Sequence, residues 1–212
     1  MVHRYARQGE LNLAGFHPSA SCLGPGKRCI LWVQGCLMRC PKCVALHMQP
    51  LVDRTWVDIP FLARLIGSIE GIEGITVVGG EPMLQAQAMT SLLKAVHEDY
   101  GLSSMLYTGY RLESLIEMQD ADIADLLSRI DILVDGPYVE ELDYSQRWRG
   151  SENQTIHFVT DRYSDLQGVM NERGRDIEIH IDEQGNYLVL GIPPKGFYEK
   201  LEHLNEQTIY RR

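Results

Sequence analysis

"RCILWVQGCLMRCPKC", residues 28–43, runs from an apolar stretch straight into three cysteines, Cys36, Cys40 and Cys43. Residues 28–35 are rich in apolar and β-branched types and read as a buried strand that delivers its chain into the cysteine loop. The same grammar recurs downstream. Residues 55–70 place Ile59, Leu62, Leu65, Ile66 and Ile69 at helical spacing, and "GITVVGG" at 74–80 reads as a second strand. "QAQAMTSLLKAVHEDYG", 85–101, is a helix closed by Gly101, and "SSMLYTGY", 103–110, is a third strand. Leu112, Leu115, Ile116, Ile123, Leu126, Leu127 and Ile130 mark a helical region with a break near Asp120, and "DILVDGPY", 131–138, is a fourth strand.

Near-continuous apolar strands separated by helices predict an α/β fold with a parallel sheet covered by helices. Glycines and polar residues fall where strands hand over to loops: Gly35 and Cys36, Gly79 to Glu81, Thr108 and Gly109, Asp135 and Gly136. Parallel α/β sheets bind ligands at the carboxyl ends of their strands, so these segments are expected to converge on one site. After residue 155 the pattern changes. "QTIHFVT", 154–160, reads as a further strand. Residues 176–192 alternate Ile177, Ile179 and Ile181 with Glu178, His180 and Asp182 around a Gly185 turn, as in a half-exposed antiparallel hairpin. A short helix around 197–204 follows Pro193-Pro194. The expected organisation is a core domain over 20–160 and a C-terminal hairpin-helix extension over 161–212.

The formal net charge of -9 over 212 residues argues against nucleic-acid binding through a broad basic surface. No apolar run approaches the roughly 18 residues of a membrane span, and "MVHRYARQGELNLAGF" lacks the apolar core of a signal peptide. The expected location is cytoplasmic, where thiols stay reduced and clustered cysteines bind metal or do chemistry more often than they pair.

Three thiols this close admit two metal readings. His47 could join Cys36, Cys40 and Cys43 in a Cys3His zinc site, which would make the chain a zinc-stabilised binding module. Alternatively, the thiolates hold three irons of a 4Fe-4S cluster, and the missing fourth cysteine leaves one iron open to substrate. Cys22 and Cys29 lie outside this motif and read as packing thiols. His97, His157 and His180 are scattered, and none is given a catalytic role.

The spacing CxxxCxxC at the end of a first core strand is similar to the signature of the radical S-adenosylmethionine (SAM) enzymes. The stretch "LGPGKRCILWVQGCLMRCPKC" resembles, within that superfamily, the activating enzymes that install glycyl radicals, especially those of anaerobic ribonucleotide reductase. "VVGGEPM" at 77–83, "LYTGY" at 106–110, "LVDGPY" and "WRGSENQT" extend the likeness over roughly residues 20–157. The resemblance implies a partial (β/α) barrel of parallel strands and two cofactors, a 4Fe-4S cluster on Cys36, Cys40 and Cys43, and SAM chelating the open iron. It implies reductive cleavage of SAM to a 5′-deoxyadenosyl radical that abstracts hydrogen.

It further implies that Gly79, Gly80, Glu81 and Pro82 form a methionine-binding turn, the glycines letting backbone approach the ligand's ammonium. Glu81 would contact that ammonium or anchor the loop. Thr108 and Asp135 would lie near SAM's carboxylate or ribose, and Arg28 would serve an anionic partner or cofactor group or simply sit at the surface. Arg149, Ser151 and Asn153 would form a loop over the site for substrate or partner. Two departures stand out: Lys42 occupies a position where many relatives have an aromatic residue, leaving adenine contacts to its backbone, and "VDGPY" offers no lysine for SAM's carboxylate. The implied partners are a glycyl radical enzyme or a peptide substrate, and a flavodoxin- or ferredoxin-like electron donor. A stand-alone radical SAM enzyme acting on a peptide or small molecule is the alternative reaction, because the extension after residue 175 is not part of the minimal activator pattern.

Overall fold

The computed structural model describes residues 7–201. A seven-stranded sheet has the order β3-β1-β2-β4-β5-β6-β7. Its strands are β1 (Glu10–Ala20), β2 (Arg28–Val33), β3 (Thr55–Asp58), β4 (Gly74–Gly79), β5 (Ser103–Tyr107), β6 (Ile132–Asp135) and β7 (Thr155–Phe158). The central four, β2, β4, β5 and β6, are parallel, as their unbroken apolar runs predict. Antiparallel strands flank them: β1 pairs with β2 and β3 on one side, and β7 with β6 on the other. The sheet is therefore mixed, and its parallel part is confined to the middle.

Helices α1 (Ile59–Gly67), α2 (Ala86–Tyr100), α3 (Leu112–Glu117) and α4 (Ala121–Leu127) lie between the strands. The expected helix over 55–70 starts late. Residues 55–58 are β3, and Asp58 caps α1 by accepting the Phe61 N–H at 2.8 Å, with Pro60 in the first turn. α2 ends on Gly101 in the left-handed conformation (φ 66°), and Asp120 caps α4 at the expected break. β1 was not anticipated. Gly15, Pro18 and two shifts of register against β2 interrupt its alternation, although Leu11 and Leu13 are buried.

The two faces of the sheet are covered differently. Cys29, Leu31, Val33, Ile75, Val77, Leu106 and Leu133 face the helices and pack among Leu62, Ile66, Met89, Leu92, Val96 and Leu126. On the opposite face, Met105, Ile132 and Val134 are covered by Trp148, Tyr163 and Val169, while Ile30 packs with Ala20, Cys22, Leu23 and Leu190. Cys22 and Cys29 are packing thiols, buried deeply enough to push both up to about 12.

Tyr163, Val169 and Leu190 belong to the extension. It consists of a 3-10 run over Asp161–Asn171 and the hairpin β8 (Ile177–Ile181) with β9 (Tyr187–Gly191). Gly185 takes the expected turn (φ 83°). Which side of the hairpin faces inward departs from a simple apolar-in pattern. Ile179 and Ile181 are 45% and 71% exposed, whereas Glu178 is half-buried against the body; His180 beside it stays exposed. Glu178 accepts the Ser21 N–H at 2.5 Å, and the His180 ring meets His17 edge-on. Leu190, opposite Glu178 in the ladder, decides the orientation: burying it completely contributes about 2 kcal/mol. Residues 197–201 are helical, and the rest of the expected 197–204 helix lies outside the described residues.

Candidate metal centre

β2 hands its chain to the cysteine loop at Gln34, and buried amides close that loop at its base. Gly35 N–H donates to Met48 O (2.8 Å) and Cys36 N–H to Gln49 O (2.9 Å). Gln34 donates from Nε2 to Pro50 O (2.6 Å) and Met48 O (3.2 Å). Gln85 accepts the Asn12 N–H at 2.7 Å and donates to Asn12 O and Gln34 O. Asn12 in turn binds Val52 O and accepts the Arg54 N–H. Sequence reasoning missed Asn12, Gln34 and Gln85. Their only signal was a buried amide adjoining an apolar strand, a position that calls for a hydrogen-bonded partner.

The three cysteines are free thiols, part-buried on this loop. Burial pushes Cys36 up to about 11, opposed by the Met38 backbone N–H 3.4 Å from its sulfur. Burial also raises Cys40, opposed in part by the Tyr138 backbone. Arg39 and Lys42 have positive φ (50° and 58°), which winds the loop tightly; Lys42 is exposed.

The Gly79–Pro82 turn abuts this loop, backbone against backbone. Gly80 N–H donates to Val33 O and Glu81 N–H to Gly35 O, both at 2.8 Å. A Cβ at Gly80 would run into the Gly35 carbonyl, and one at Gly79 would stand 2.8 Å from Val33 N and O. Here the glycines answer to the close approach of β2's own backbone. Glu81 is buried and anchors loops. It accepts the Thr108 hydroxyl (2.9 Å), the Gly109 N–H (2.8 Å) and the Met83 N–H (3.0 Å). Burial nevertheless pushes its carboxyl up to about 7. Asp135, also buried, accepts the Leu112 N–H at the start of α3 (2.6 Å) and the Thr155 N–H (3.2 Å), with His157 Nε2 at 3.2 Å.

Thus Cys36, Gly79–Pro82, Thr108 and Asp135 all sit at the carboxyl ends of β2, β4, β5 and β6, and Glu81 links two of these ends directly. Arg28 is not with them. It is fully buried at the foot of β2, donating to Thr76 Oγ1 (2.8 Å), Ser103 Oγ (2.9 Å) and Ile75 O (2.7 Å). This corrects both expectations for it, anion-binding cation and surface arginine: its guanidinium is spent inside the protein. Arg149, Ser151 and Asn153 do share one loop beyond β6, and hydrogen bonds from all three shape it. Arg149 donates to Gln154 O (2.8 Å), Ser151 Oγ accepts the Val139 N–H (3.1 Å), and Asn153 donates to Pro137 O (2.8 Å).

Among the described residues, no three His, Cys, Asp or Glu side chains gather around one point that would hold a single metal ion. His47 is exposed and does not complete a Cys3His set. A cubane cluster makes a different demand, since each thiolate binds a different iron. Three part-buried thiols on one closed loop, with the Met38 backbone N–H directed at the Cys36 sulfur, fit that demand.

Residues 22–157 match the family described as a 4Fe-4S single cluster domain, and the chain belongs to that family. Its relatives there carry a narrower name. The anaerobic ribonucleoside-triphosphate reductase-activating protein of Escherichia coli K12 is 34% identical over 158 residues, 70% of this chain and 99% of that protein. The proteins of the same name from Vibrio cholerae and Enterobacteria phage T4 are 32% and 26% identical, each over 71% of this chain and 99% and 96% of their own lengths. The crystal structure of QueE from Escherichia coli overlaps 47% of this chain and 52% of its own at a TM-score of 0.36 and 16% identity, a likeness too slight to bear on the fold. Among the described residues no helix is long and apolar enough to cross a membrane.

Proposed function

We propose that this chain is a radical SAM activating enzyme that installs a glycyl radical on an anaerobic ribonucleotide reductase. Cys36, Cys40 and Cys43 would hold a 4Fe-4S cluster, and Gly79, Gly80, Glu81, Pro82, Thr108, Asp135 and the Lys42 backbone would surround SAM. When bound, these groups supply one-electron cleavage of the sulfonium and a 5′-deoxyadenosyl radical able to take hydrogen from a glycine. The chain's own task is to orient and exclude: Gly79 and Gly80 bring backbone carbonyls within reach of an ammonium, and Glu81 fixes the β4 and β5 ends relative to each other. Arg149, Ser151 and Asn153 would shape the loop that meets the partner. The four parallel strands would form the partial barrel, with 20–160 as the catalytic core and 161–212 as an appended unit. A low-potential flavodoxin- or ferredoxin-like donor and a reducing compartment, the cytoplasm, complete the reading.

The observation that carries it is the trio of free, part-buried thiols at the end of β2, in backbone contact with the Gly79–Pro82 turn. Anaerobic reconstitution should give a brown protein with iron and sulfide in near-equal amounts, and dithionite plus SAM should yield 5′-deoxyadenosine. Adding the cognate reductase should then produce a glycyl doublet in electron paramagnetic resonance. SAM cleavage without that doublet would favour a second reading, a stand-alone radical SAM enzyme for a peptide or small molecule. One observation supports that alternative: the extension, through Leu190, covers part of the inner sheet face that an incoming partner loop would use.

A further inference from the structure

On the sheet face away from the helices, Trp32, Val78 and Tyr107 are the last residues of β2, β4 and β5 before the candidate site; Val78 adjoins Gly79 and Tyr107 adjoins Thr108. Ile30, Thr76 and Met105, one rung lower on that face, are fully buried, whereas these three are only half-buried. They form a floor directly beneath the site. Its cover comes from the extension: Leu190 and Ile192 pack on this floor together with Cys22 and Leu23. The family match ends at residue 157, and 70% of this chain already spans 99% of the Escherichia coli relative, so the cover lies outside the shared pattern.

The cover is held unevenly. At its root the Arg175 side chain is only 2% exposed and donates to Asp143 Oδ1 at 2.7 Å. The same guanidinium reaches the carbonyls of Gly150 (2.6 Å), Arg149 (2.9 Å) and Pro193 (3.2 Å), which pins both ends of the hairpin to the loop after β6. Away from the root little holds it. Leu190 is the only buried residue from Ile177 to Gly191, and Glu178 bonds the body through the Ser21 N–H. A pinned base under a thinly held body is a segment that opens at lower cost than the whole fold.

We propose that the β8–β9 hairpin is a lid on the inner sheet face, pivoting on the Arg175 root and closed by Leu190, which lifts to admit the partner's peptide loop to the site. The inference rests on the activating-enzyme reading above and assigns the extension a part in it. Closed, the hairpin keeps water off the floor; open, it uncovers an apolar seat of Trp32, Val78 and Tyr107.

Cys22 and Cys29 separate the two ways of uncovering the sheet. Cys22 lies under the hairpin with Leu190, and Cys29 lies under the helices on the other face. Lid opening exposes the first alone, whereas global unfolding exposes both. In the metal-free full-length chain, iodoacetamide labelling read by peptide mass spectrometry should modify Cys22 about tenfold or more faster than Cys29. Leu190→Ala should raise the Cys22 rate by roughly a further tenfold, with Cys22 still ahead of Cys29. Reconstituted Leu190→Ala should form the glycyl doublet on the cognate reductase about threefold faster than wild type, while 5′-deoxyadenosine release without reductase stays unchanged.

Equal Cys22 and Cys29 rates in wild type overturn the lid, because the hairpin then leaves only when the whole chain unfolds. Faster Cys22 labelling in Leu190→Ala with no gain in doublet formation over a wild type that does form it overturns the gating role. Where Leu190→Ala does not fold, Leu190→Val decides by the same readings. If wild type gives no doublet at all, the activating-enzyme reading fails, and the labelling rates alone then uphold or overturn the lid.

Discussion

The parallel strands bury polar side chains at both ends, and the two ends use them differently. At the foot, Arg28, Thr76 and Ser103 form a buried network that reaches the exposed Glu73 through Tyr163. Arg28 donates to Thr76 and Ser103, Thr76 donates to Leu23 O at 2.7 Å, and the Tyr163 hydroxyl donates to Glu73 at 2.6 Å. At the carboxyl ends, Glu81 and Asp135 are as deeply buried, but their bonds fasten loops around three thiols that stay part-exposed. Buried polarity alone therefore does not mark a site. The difference lies in strand direction and in glycines that let two loops close on each other while leaving reactive groups uncommitted.

Substituting alanine for Cys36, Cys40 or Cys43 should have the largest effect. Iron and sulfide retention and SAM cleavage should fall to background, while the metal-free chain loses no more than about 1 kcal/mol in urea unfolding, as expected for part-exposed side chains. A cysteine variant that instead unfolds the metal-free chain would erase the contrast between the two ends.

Arg28→Met should do the converse. Removing the guanidinium strands Ile75 O and weakens the Thr76 and Ser103 contacts, costing about 2–4 kcal/mol of stability. Iron stoichiometry should hold in the fraction that remains folded. Loss of iron with an unchanged urea midpoint would assign the foot to the site after all.

The smallest effect sharpens the comparison at Glu81. Its carboxyl is raised from an ordinary 4.5 to about 7, chiefly by burial, so the folded chain holds that proton more tightly than the unfolded chain. The sign follows from linkage: stability of the metal-free protein should decline as pH rises from about 4.5 to about 7 and level off above that. Glu81→Gln should remove this slope, as read from urea unfolding at a series of pH values. A slope unchanged by the substitution would place the proton elsewhere.

Much of the core was legible because its signals are local. The apolar runs of β2, β4, β5 and β6, Gly101 at the end of α2, the Asp120 cap and the Gly185 turn all declare themselves within a few residues. β1 escaped because Gly15, Pro18 and its register shifts break the alternation on which strand reading depends. β3 was absorbed into the helix after it, although Asp58-Ile59-Pro60 is a cap followed by a first-turn proline and should have moved the boundary. Glu81 was read as either ligand contact or loop anchor, and the fold supplied the anchoring partners, Thr108 and Gly109, from another strand end.

The sequence by itself determined the alternation of strand and helix and the placing of three thiols at a strand's carboxyl end, since periodicity and loop chemistry act over short spans. Only the tertiary structure decided that Arg28 is sealed inside, that the hairpin turns Glu178 and Leu190 inward with Ile179 and Ile181 outward, and that Arg175 reaches Asp143. The physical reason is distance along the chain. Arg28 meets Ser103 across 75 residues and Arg175 meets Asp143 across 32, and a buried charge is stable only where such remote partners converge on it.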